Sequence, residues 1–267
     1  MSFAEATAVQ SSGPGRYAGE ILPGWDIAGN ANGGYLLSIA GRALADATGR
    51  PDPVSVTVHY LAPGAAGPVS IDTRVLRAGR RFATATAQLH GTDRQLLSVL
   101  GTFGDLSTPD RDAPTLVSGG PPELPAPDDC SAAEPGELFP PPFMGKVELR
   151  LHPDDSRFLD GVRTGTALIR GWFRLRGDEP TDTIALLTAA DALPPTVFNL
   201  DLPLAWVPTL ELTAHVRRRP APGWLAVAVR TRFVDAGFLE VDGEFWDSDG
   251  SLVAQSRQLA LVPRPAG

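Results

Sequence analysis

Cysteine and basic clusters are scarce in this chain, and each of these scarcities argues against a class of protein. Cys130 is the only cysteine among 267 residues, so neither an internal disulfide framework nor a cysteine-based metal site is possible. A formal net charge of −8 without a dominant basic patch argues against nucleic acid as the main partner. Lys146 is the only lysine and the other basic residues are arginines, which we interpret as a coding bias and not as a functional feature. This cysteine usage suits a reducing compartment, and we expect a cytoplasmic protein.

Long apolar runs are missing as well. No run is long enough to cross a bilayer, and residues 1–15 have no basic start followed by an apolar stretch. We therefore expect no membrane association and no signal peptide. The four histidines are scattered without metal-ligand spacing, so we expect no metal and no other cofactor. What the chain does have is 43% hydrophobic residues, which is ample for a large core.

A short apolar helix is predicted between Thr181 and Pro195. Thr181 or Asp182 can cap its start, and two prolines end it. The segment has no clear polar face, which is typical of a buried helix, yet Asp191 lies in its last turn. A carboxylate there is disfavoured by burial and by the negative end of the helix dipole. Asp191 is therefore either a functional residue or one that points to solvent or binds a nearby arginine.

The order strand, helix, four strands occurs twice. The first copy has a strand or hairpin over 16–27, a helix from Gly33 to about Ala47 capped by Asn30 or Asn32, and four strand-like runs between Val54 and Phe103, of which the last is apolar on both faces. The second has strands before and after the helix at 181–195, ending with the run from Ser251 to Val262. We interpret this as an internal duplication in which each buried helix is wrapped by an antiparallel meander, with the two sheets meeting edge to edge.

The composition divides the chain into three segments. Residues 106–142 are rich in Pro, Gly, Asp and Ser, which is typical of a linker that lies over the surface. We therefore predict a first unit at 1–105, a linker at 106–145 and a second unit at 146–267.

Several motifs resemble those of the double hotdog acyl-CoA thioesterases, in particular bacterial acyl-CoA thioesterase II and its relatives. In the first half they are Asn-Gly-Gly-Tyr at 32–35 and Ser-Val-Thr-Val-His-Tyr-Leu-Ala-Pro-Gly at 55–64. In the second half they are Ala-Asp at 190–191, Pro-Thr-Leu-Glu at 208–211, Gly-Glu-Phe at 243–245 before Asp-Gly at 249–250, and Leu-Val-Ala-Gln-Ser-Arg-Gln at 252–258. The order and spacing of these motifs cover nearly the whole chain apart from the linker. The resemblance implies an α+β fold, a tandem (double) hotdog.

The resemblance also implies a catalytic trio of Asp191, Thr209 and Gln258, which position a water for attack on a thioester. Gln258 lies on a predicted strand face of small apolar residues, where a buried amide needs partners whether or not it is functional. Strand alternation places Thr209 on a partly polar face with Glu211, Thr213 and other residues, and a β-branched residue needs no functional explanation there. The chain has Glu-Leu-Thr at 211–213 where the family often has Asp-His-Ser.

Substrate binding is assigned to Gly33, Gly34 and Tyr35 at the start of the first helix. Free amides there can stabilise the oxyanion of a tetrahedral intermediate, while the alternative is that the glycines allow close packing of the helix. Arg217, Arg218 and Arg219 can meet coenzyme A phosphates or form a solvated strand end.

The function expected from the resemblance is hydrolysis of a fatty or related acyl-CoA by direct attack of water. No Gly-x-Ser-x-Gly elbow and no plausible cysteine nucleophile are present, which agrees with a mechanism without a covalent intermediate. The alternatives are an acyl-thioester binding protein without hydrolase activity and a hydratase or dehydratase, although the Asp and His pair of those relatives is missing near Asn32 and Asp191. The partners expected are an acyl-CoA substrate and a second copy, because hotdog relatives usually form homodimers or larger assemblies.

Overall fold

A computed structural model describes residues 1–108, 113–135, 140–177 and 179–264. The first half of the chain opens with a short helix and a hairpin, continues through the long helix α2, and ends in four strands. The elements are α1 (Phe3–Ala6), β1 (Gln10–Gly13), β2 (Arg16–Ile21), β3 (Asp26–Ile27), β4 (Asn30–Ala31), α2 (Gly33–Thr48), β5 (Asp52–Tyr60), β6 (Gly67–Ala78), β7 (Ala83–His90) and β8 (Gln95–Gly104).

Helix α2 forms where the sequence predicts it. The Asn32 side chain accepts a hydrogen bond from the backbone N–H of Tyr35 at 2.9 Å and so caps the first turn. Gly49 ends the helix in the left-handed conformation (φ 62°), which glycine adopts without a steric penalty. Ten of its sixteen residues are buried, because the sheet wraps the helix on most sides.

The strands around α2 are all antiparallel, but their order is not the predicted meander. The order is β1-β2-β6-β7-β8-β5, so β6, β7 and β8 are consecutive while β5 pairs with β8 instead of β6. The chain passes from β5 to β6 across the sheet, and β2 covers the outer side of β6. This crossover leaves the far edge of β5 open for the second half of the chain.

The second half has the same plan in mirror order. Its sheet runs β12-β16-β15-β13-β11-β10-β9, with β14 paired to β15. Short 3₁₀ helices lie between several of the strands. The elements are β9 (Ser131–Ala132), β10 (Val147–Leu151), β11 (Leu168–Leu175), α3 (Ala185–Ala189), β12 (Thr209–Val216), β13 (Leu225–Arg230), β14 (Val234–Asp235), β15 (Phe238–Trp246) and β16 (Leu252–Leu261).

Helix α3 is shorter than the predicted segment from Thr181 to Pro195. Asp182 caps it by accepting the N–H of Ala185 at 2.7 Å, one of the two caps considered. After Ala189 the bonds tighten, since the N–H groups of Asp191 and Ala192 each bond the carbonyl three residues earlier. Asp191 therefore lies in a turn that follows α3, not within the helix.

The two half-sheets join edge to edge, as predicted. Strands β5 and β12 pair antiparallel, with Val58 opposite Leu212 and Thr57 opposite Thr213. The hydroxyls of the two threonines hydrogen bond across the seam at 2.8 Å. One continuous sheet therefore carries both units. Among the described residues, no helix is long and apolar enough to cross a membrane.

Polar bonds beneath the sheet fasten the two halves together. The Ser38 hydroxyl of α2 bonds the Thr188 hydroxyl of α3 at 2.8 Å and the Ile184 carbonyl at 3.1 Å. Asp52, which is 2% exposed, accepts from the Thr183 hydroxyl at 2.7 Å and pairs with Arg219 at 2.9 Å. Of the three arginines considered for coenzyme A, Arg219 is thus committed to a bridge between the halves.

The predicted linker between the two half-sheets contains some regular structure. Within the predicted linker, β9 pairs with β10 and extends the second half-sheet at its outer end. The Pro125 carbonyl accepts a hydrogen bond from the Trp172 indole at 2.9 Å, which ties this segment to β11. The division of the chain at residues 105 and 145 stays a prediction.

Candidate active site

Asp191 lies where the two halves meet, at the N-terminus of α2. Its carboxylate Oδ2 accepts the backbone N–H of Gly34 at 3.0 Å and the Asn32 side-chain amide at 3.3 Å. Its backbone carbonyl also accepts from Asn32 Nδ2, at 2.9 Å. Residues from the first half of the chain therefore fix an acid that belongs to the second half.

The electrostatic conflict expected at Asp191 is offset by the other helix. The carboxylate follows the negative end of the short helix α3, but it bonds the positive end of the sixteen-residue α2. Burial raises the pKa of Asp191 from 3.8 to about 6, while hydrogen bonds from Gly34, Gln258 and Gly33 oppose the rise. The carboxylate is thus mostly ionised at neutral pH, yet basic enough to accept a proton.

Gln258 reaches the other oxygen of the same carboxylate. Its Nε2 donates to Asp191 Oδ1 at 2.8 Å and to the Ala190 carbonyl at 3.4 Å. On β16, Ala254, Ser256 and Ala260 are buried on the face that Gln258 shares, as the alternation predicts. Since Nε2 serves as the donor, the amide oxygen of Gln258 is the atom that can accept a hydrogen bond from a water.

Thr209 lies on the same face as Gln258 because of a bulge in β12. The register shifts between Thr209 and Glu211, so Thr209 pairs with Ala260 while Leu212 pairs with Gln258. Paired residues project from the same face of an antiparallel ladder, so Thr209 faces inward with these partners. The expectation that Thr209 shares a face with Glu211 and Thr213 is therefore wrong, since the extra residue breaks the alternation.

Gly33 and Gly34 provide the room that Asp191 occupies. A Cβ on Gly33 would meet Asp191 Oδ2 at 2.8 Å, and a Cβ on Gly34 would meet the Leu187 carbonyl of α3 at 2.8 Å. The Gly34 amide bonds the carboxylate, so it is not free in this structure to bind a substrate carbonyl. The Tyr35 side chain is fully buried, and its hydroxyl bonds the Ala6 carbonyl at 2.8 Å and the Leu22 N–H at 3.1 Å. The structure thus brings the two glycines, but not the Tyr35 side chain, to Asp191.

Asn32 and Tyr60 are two members of this cluster that sequence reasoning did not assign. Asn32 was expected only as a helix cap, but its amide also holds Asp191. Tyr60 ends β5, and its ring lies 2.8 Å from the position of a Cβ on Gly33, as does the carboxylate of Asp191. Burial, followed by the charges of Asp191 and Glu211, raises the pKa of Tyr60 well above its usual value. Both residues lie within the motifs at 32–35 and 55–64, which was the available signal.

Two family models match the chain, one for each half. The model of an acyl-CoA thioesterase N-terminal domain matches residues 21–104, and that of an acyl-CoA thioesterase C-terminal domain matches residues 127–262. An uncharacterized protein of Mycobacterium tuberculosis strain H37Rv is 30% identical over 266 residues, which cover 92% of this chain and 91% of the relative.

Solved structures share the architecture. A protein from Thermobifida fusca YX, assigned as a thioesterase II, is 34% identical and superimposes with a TM-score of 0.88 over 98% of this chain and 97% of its own. A hot dog fold protein from Alicyclobacillus acidocaldarius is 23% identical, with a TM-score of 0.85 over 99% and 98%. An acyl-CoA thioesterase II from Mycobacterium marinum is 18% identical, with a TM-score of 0.71 over the full length of both chains. The predicted tandem hotdog fold is confirmed.

Proposed function

The chain belongs to the acyl-CoA thioesterase family and is a thioester hydrolase, and from this premise we propose that it hydrolyses fatty or related acyl-CoA at the cluster around Asp191. The observation that carries the proposal is the Asp191 carboxylate, held by Gly34 and Asn32 of one half and Gln258 of the other. A pKa of about 6 lets this carboxylate act as a general base near neutral pH.

In the proposed mechanism, Asp191 removes a proton from a water whose oxygen attacks the thioester carbonyl carbon. The electrons of the C=O double bond move to the oxygen and form a tetrahedral oxyanion. The C=O bond then re-forms, the C–S bond breaks, and the proton held by Asp191 passes to the sulfur of coenzyme A. The products are a carboxylic acid and a free thiol, and the carboxylate is restored.

Gln258 and Thr209 are proposed to position the water. Gln258 Nε2 is bonded to the carboxylate, which leaves its amide oxygen as an acceptor next to Asp191. Thr209 faces the same side of the sheet because of the bulge in β12. Asp191, Gln258 and Thr209 each keep part of their surface exposed, so water can reach the cluster.

Thiol release from acyl-CoA tests this proposal. We expect the wild-type chain to release coenzyme A from acyl-CoA of some chain length, measured with a thiol reagent across a series from acetyl to stearoyl. Asp191→Asn keeps the shape and should lower kcat by about 100- to 10,000-fold. Gln258→Ala should lower it too, and the double variant should lose less than the product of the single losses, because both residues act on one water. Asp93→Asn, in the exposed β7–β8 turn, is the control. A fully active Asp191→Asn enzyme would contradict the assignment.

Two further parts of the proposal concern the oligomeric state of the enzyme and the cellular compartment in which it acts. We propose a homodimer or larger assembly, supported by Phe233, Phe238 and Leu259, whose side chains are exposed by 66%, 43% and 40% around β14, β15 and β16. Light scattering at micromolar concentration should give at least twice the chain mass of 28.2 kDa, and a clean monomer would contradict it. We further propose that the enzyme acts in the cytoplasm, which suits the unpaired Cys130, and that a fatty acyl-CoA substrate would place it in fatty-acid metabolism.

A further inference from the structure

The Tyr60 hydroxyl is a buried polar group without a hydrogen-bond partner among the described residues. The other two tyrosines have partners: Tyr17 donates to Asp46 at 2.8 Å, and Tyr35 donates to the Ala6 carbonyl. Burying a hydroxyl without a partner is unfavourable, and such a group in a native protein needs an explanation. Because Tyr60 lies next to Asp191, a group that enters this site can supply the missing partner.

The site needs a donor for the oxyanion, and the amides first expected to serve are engaged. Asp191 Oδ2 occupies the Gly34 amide, and Asn32 Nδ2 is directed to the Asp191 carboxylate and carbonyl. The Tyr60 hydroxyl, unlike these amide groups, has no hydrogen-bond acceptor among the described residues. Its hydroxyl stays neutral throughout the working pH range, since burial and two nearby carboxylates disfavour a phenolate.

We propose that the Tyr60 hydroxyl donates a hydrogen bond to the carbonyl oxygen of the bound thioester and to the oxyanion that forms from it. The proton stays on Tyr60 throughout, so the proton balance of hydrolysis is unchanged. Asp191 Oδ2 and the Tyr60 ring carbon Cζ, which carries the hydroxyl, both lie 2.8 Å from the position that a Cβ on Gly33 would take, so the two side chains are close neighbours. The base and the oxyanion donor can therefore act on one carbonyl carbon. This assignment rests on the proposed function of the cluster.

Tyr60→Phe keeps the ring and removes only the hydroxyl. We expect kcat to fall by about 100- to 1,000-fold with KM little changed, because the loss concerns a bond that strengthens in the transition state. The melting temperature should stay the same or rise, since an unpaired buried hydroxyl is removed. Tyr17→Phe is the matched control: it removes a bonded hydroxyl away from the site and should keep kcat.

A spectroscopic measurement tests the contact without turnover. In the Asp191→Asn background, the infrared band of a bound acyl-CoA labelled with ¹³C at the thioester carbonyl should lie below its position in water. In the Asp191→Asn/Tyr60→Phe variant the band should move back to higher frequency. A ring that only packs on Gly33 would leave the band unmoved.

The outcomes separate the two proposals. If Asp191→Asn loses activity while Tyr60→Phe keeps the kcat of the wild type, the role of Tyr60 alone is overturned. An unmoved carbonyl band in the double variant would overturn it as well. A wild-type chain that releases thiol from no acyl-CoA would overturn both proposals together.

Discussion

The largely buried carboxyl group of Asp191 makes the stability of this protein depend on pH in a predictable way. Its pKa is about 6 in the folded chain and 3.8 in the unfolded reference. Between these values the folded state binds more protons than the unfolded state, so the free energy of unfolding falls as pH rises. Each pKa unit is worth about 1.4 kcal/mol, so ionising Asp191 destabilises the fold by about 3 kcal/mol above pH 6. The partial exposure of Asp191 makes this an upper value.

Asp191→Asn removes the destabilisation that comes from ionising a buried carboxyl group, but it weakens the hydrogen bonds around residue 191. The Asn oxygen can accept from Gly34, but its amide then faces Gln258 Nε2, so the Gln258 amide must turn over. One lost hydrogen bond costs about 1 kcal/mol. We therefore expect the variant to be more stable than wild type by about 2 kcal/mol at pH 7.5. Near pH 4 it should be equal or slightly less stable.

Urea unfolding at pH 4, 5, 6 and 7.5 measures this difference, with Asp93→Asn as a control for charge removal at an exposed site. The stability of Asp191→Asn relative to wild type should rise by about 2.4 kcal/mol from pH 4 to pH 7.5. A constant difference, or one that falls with pH, would refute the reasoning. It would mean that the amides of α2 stabilise the carboxylate by at least as much as burial destabilises it.

Three more predictions concern the cluster and the join between the halves. The kcat/KM of the wild type should rise with pH around a midpoint near pH 6. Gln258→Ala should move this midpoint upward by about one pH unit, because it removes a hydrogen bond that lowers the pKa of Asp191. An unmoved midpoint would assign the titration to another group. Asp52→Ala should lower the free energy of unfolding by about 2 kcal/mol, measured in urea, because the buried Asp52 accepts hydrogen bonds from Thr183 and from the half-exposed Arg219 of the other half; a loss below about 1 kcal/mol would contradict this. Gly34→Ala should lower the free energy of unfolding by about 1–3 kcal/mol and also lower kcat, because the new Cβ would meet backbone atoms of α3 from 2.8 Å. The control is Gly145→Ala, whose Cβ would meet only one atom, at 4.0 Å, and which should be neutral. Equal effects of the two substitutions would refute the packing argument.

The pattern of elements was readable from the sequence, but the way they pair was not. Alternation predicted most of the long strands, and the caps predicted α2 almost to the residue. The position of β5 beside β8, and not beside β6, follows from long-range pairing that alternation does not encode. The end of α3 is a local effect by contrast, because Pro194 and Pro195 have no N–H with which to continue the helix. The carbonyl of Asp191 is bonded by the Asn32 side chain instead, from 159 residues away along the chain.

The site shows the same division between local and distant information. Asp191 stood out as a carboxylate in an apolar segment, Gln258 was implied by the family resemblance, and the structure brings the two side chains to 2.8 Å. Thr209 was placed on the wrong face because a bulge cannot be read from residue types alone. Tyr60 was passed over because an aromatic residue at the end of a strand is ordinary until its hydroxyl is found buried and unpartnered.

Because β5 and β12 join the two halves, the cluster around Asp191 is built from both of them. This determines how the fraction of complete clusters depends on protein concentration. If the halves were separate molecules, the cluster would be complete only in the fraction that had met a partner, and dilution would lower that fraction. Joining them in one chain sets an effective concentration on the order of millimolar, whatever the amount of enzyme present. Each chain then carries a complete cluster even when it is scarce, and the activity per molecule does not fall on dilution through loss of one half.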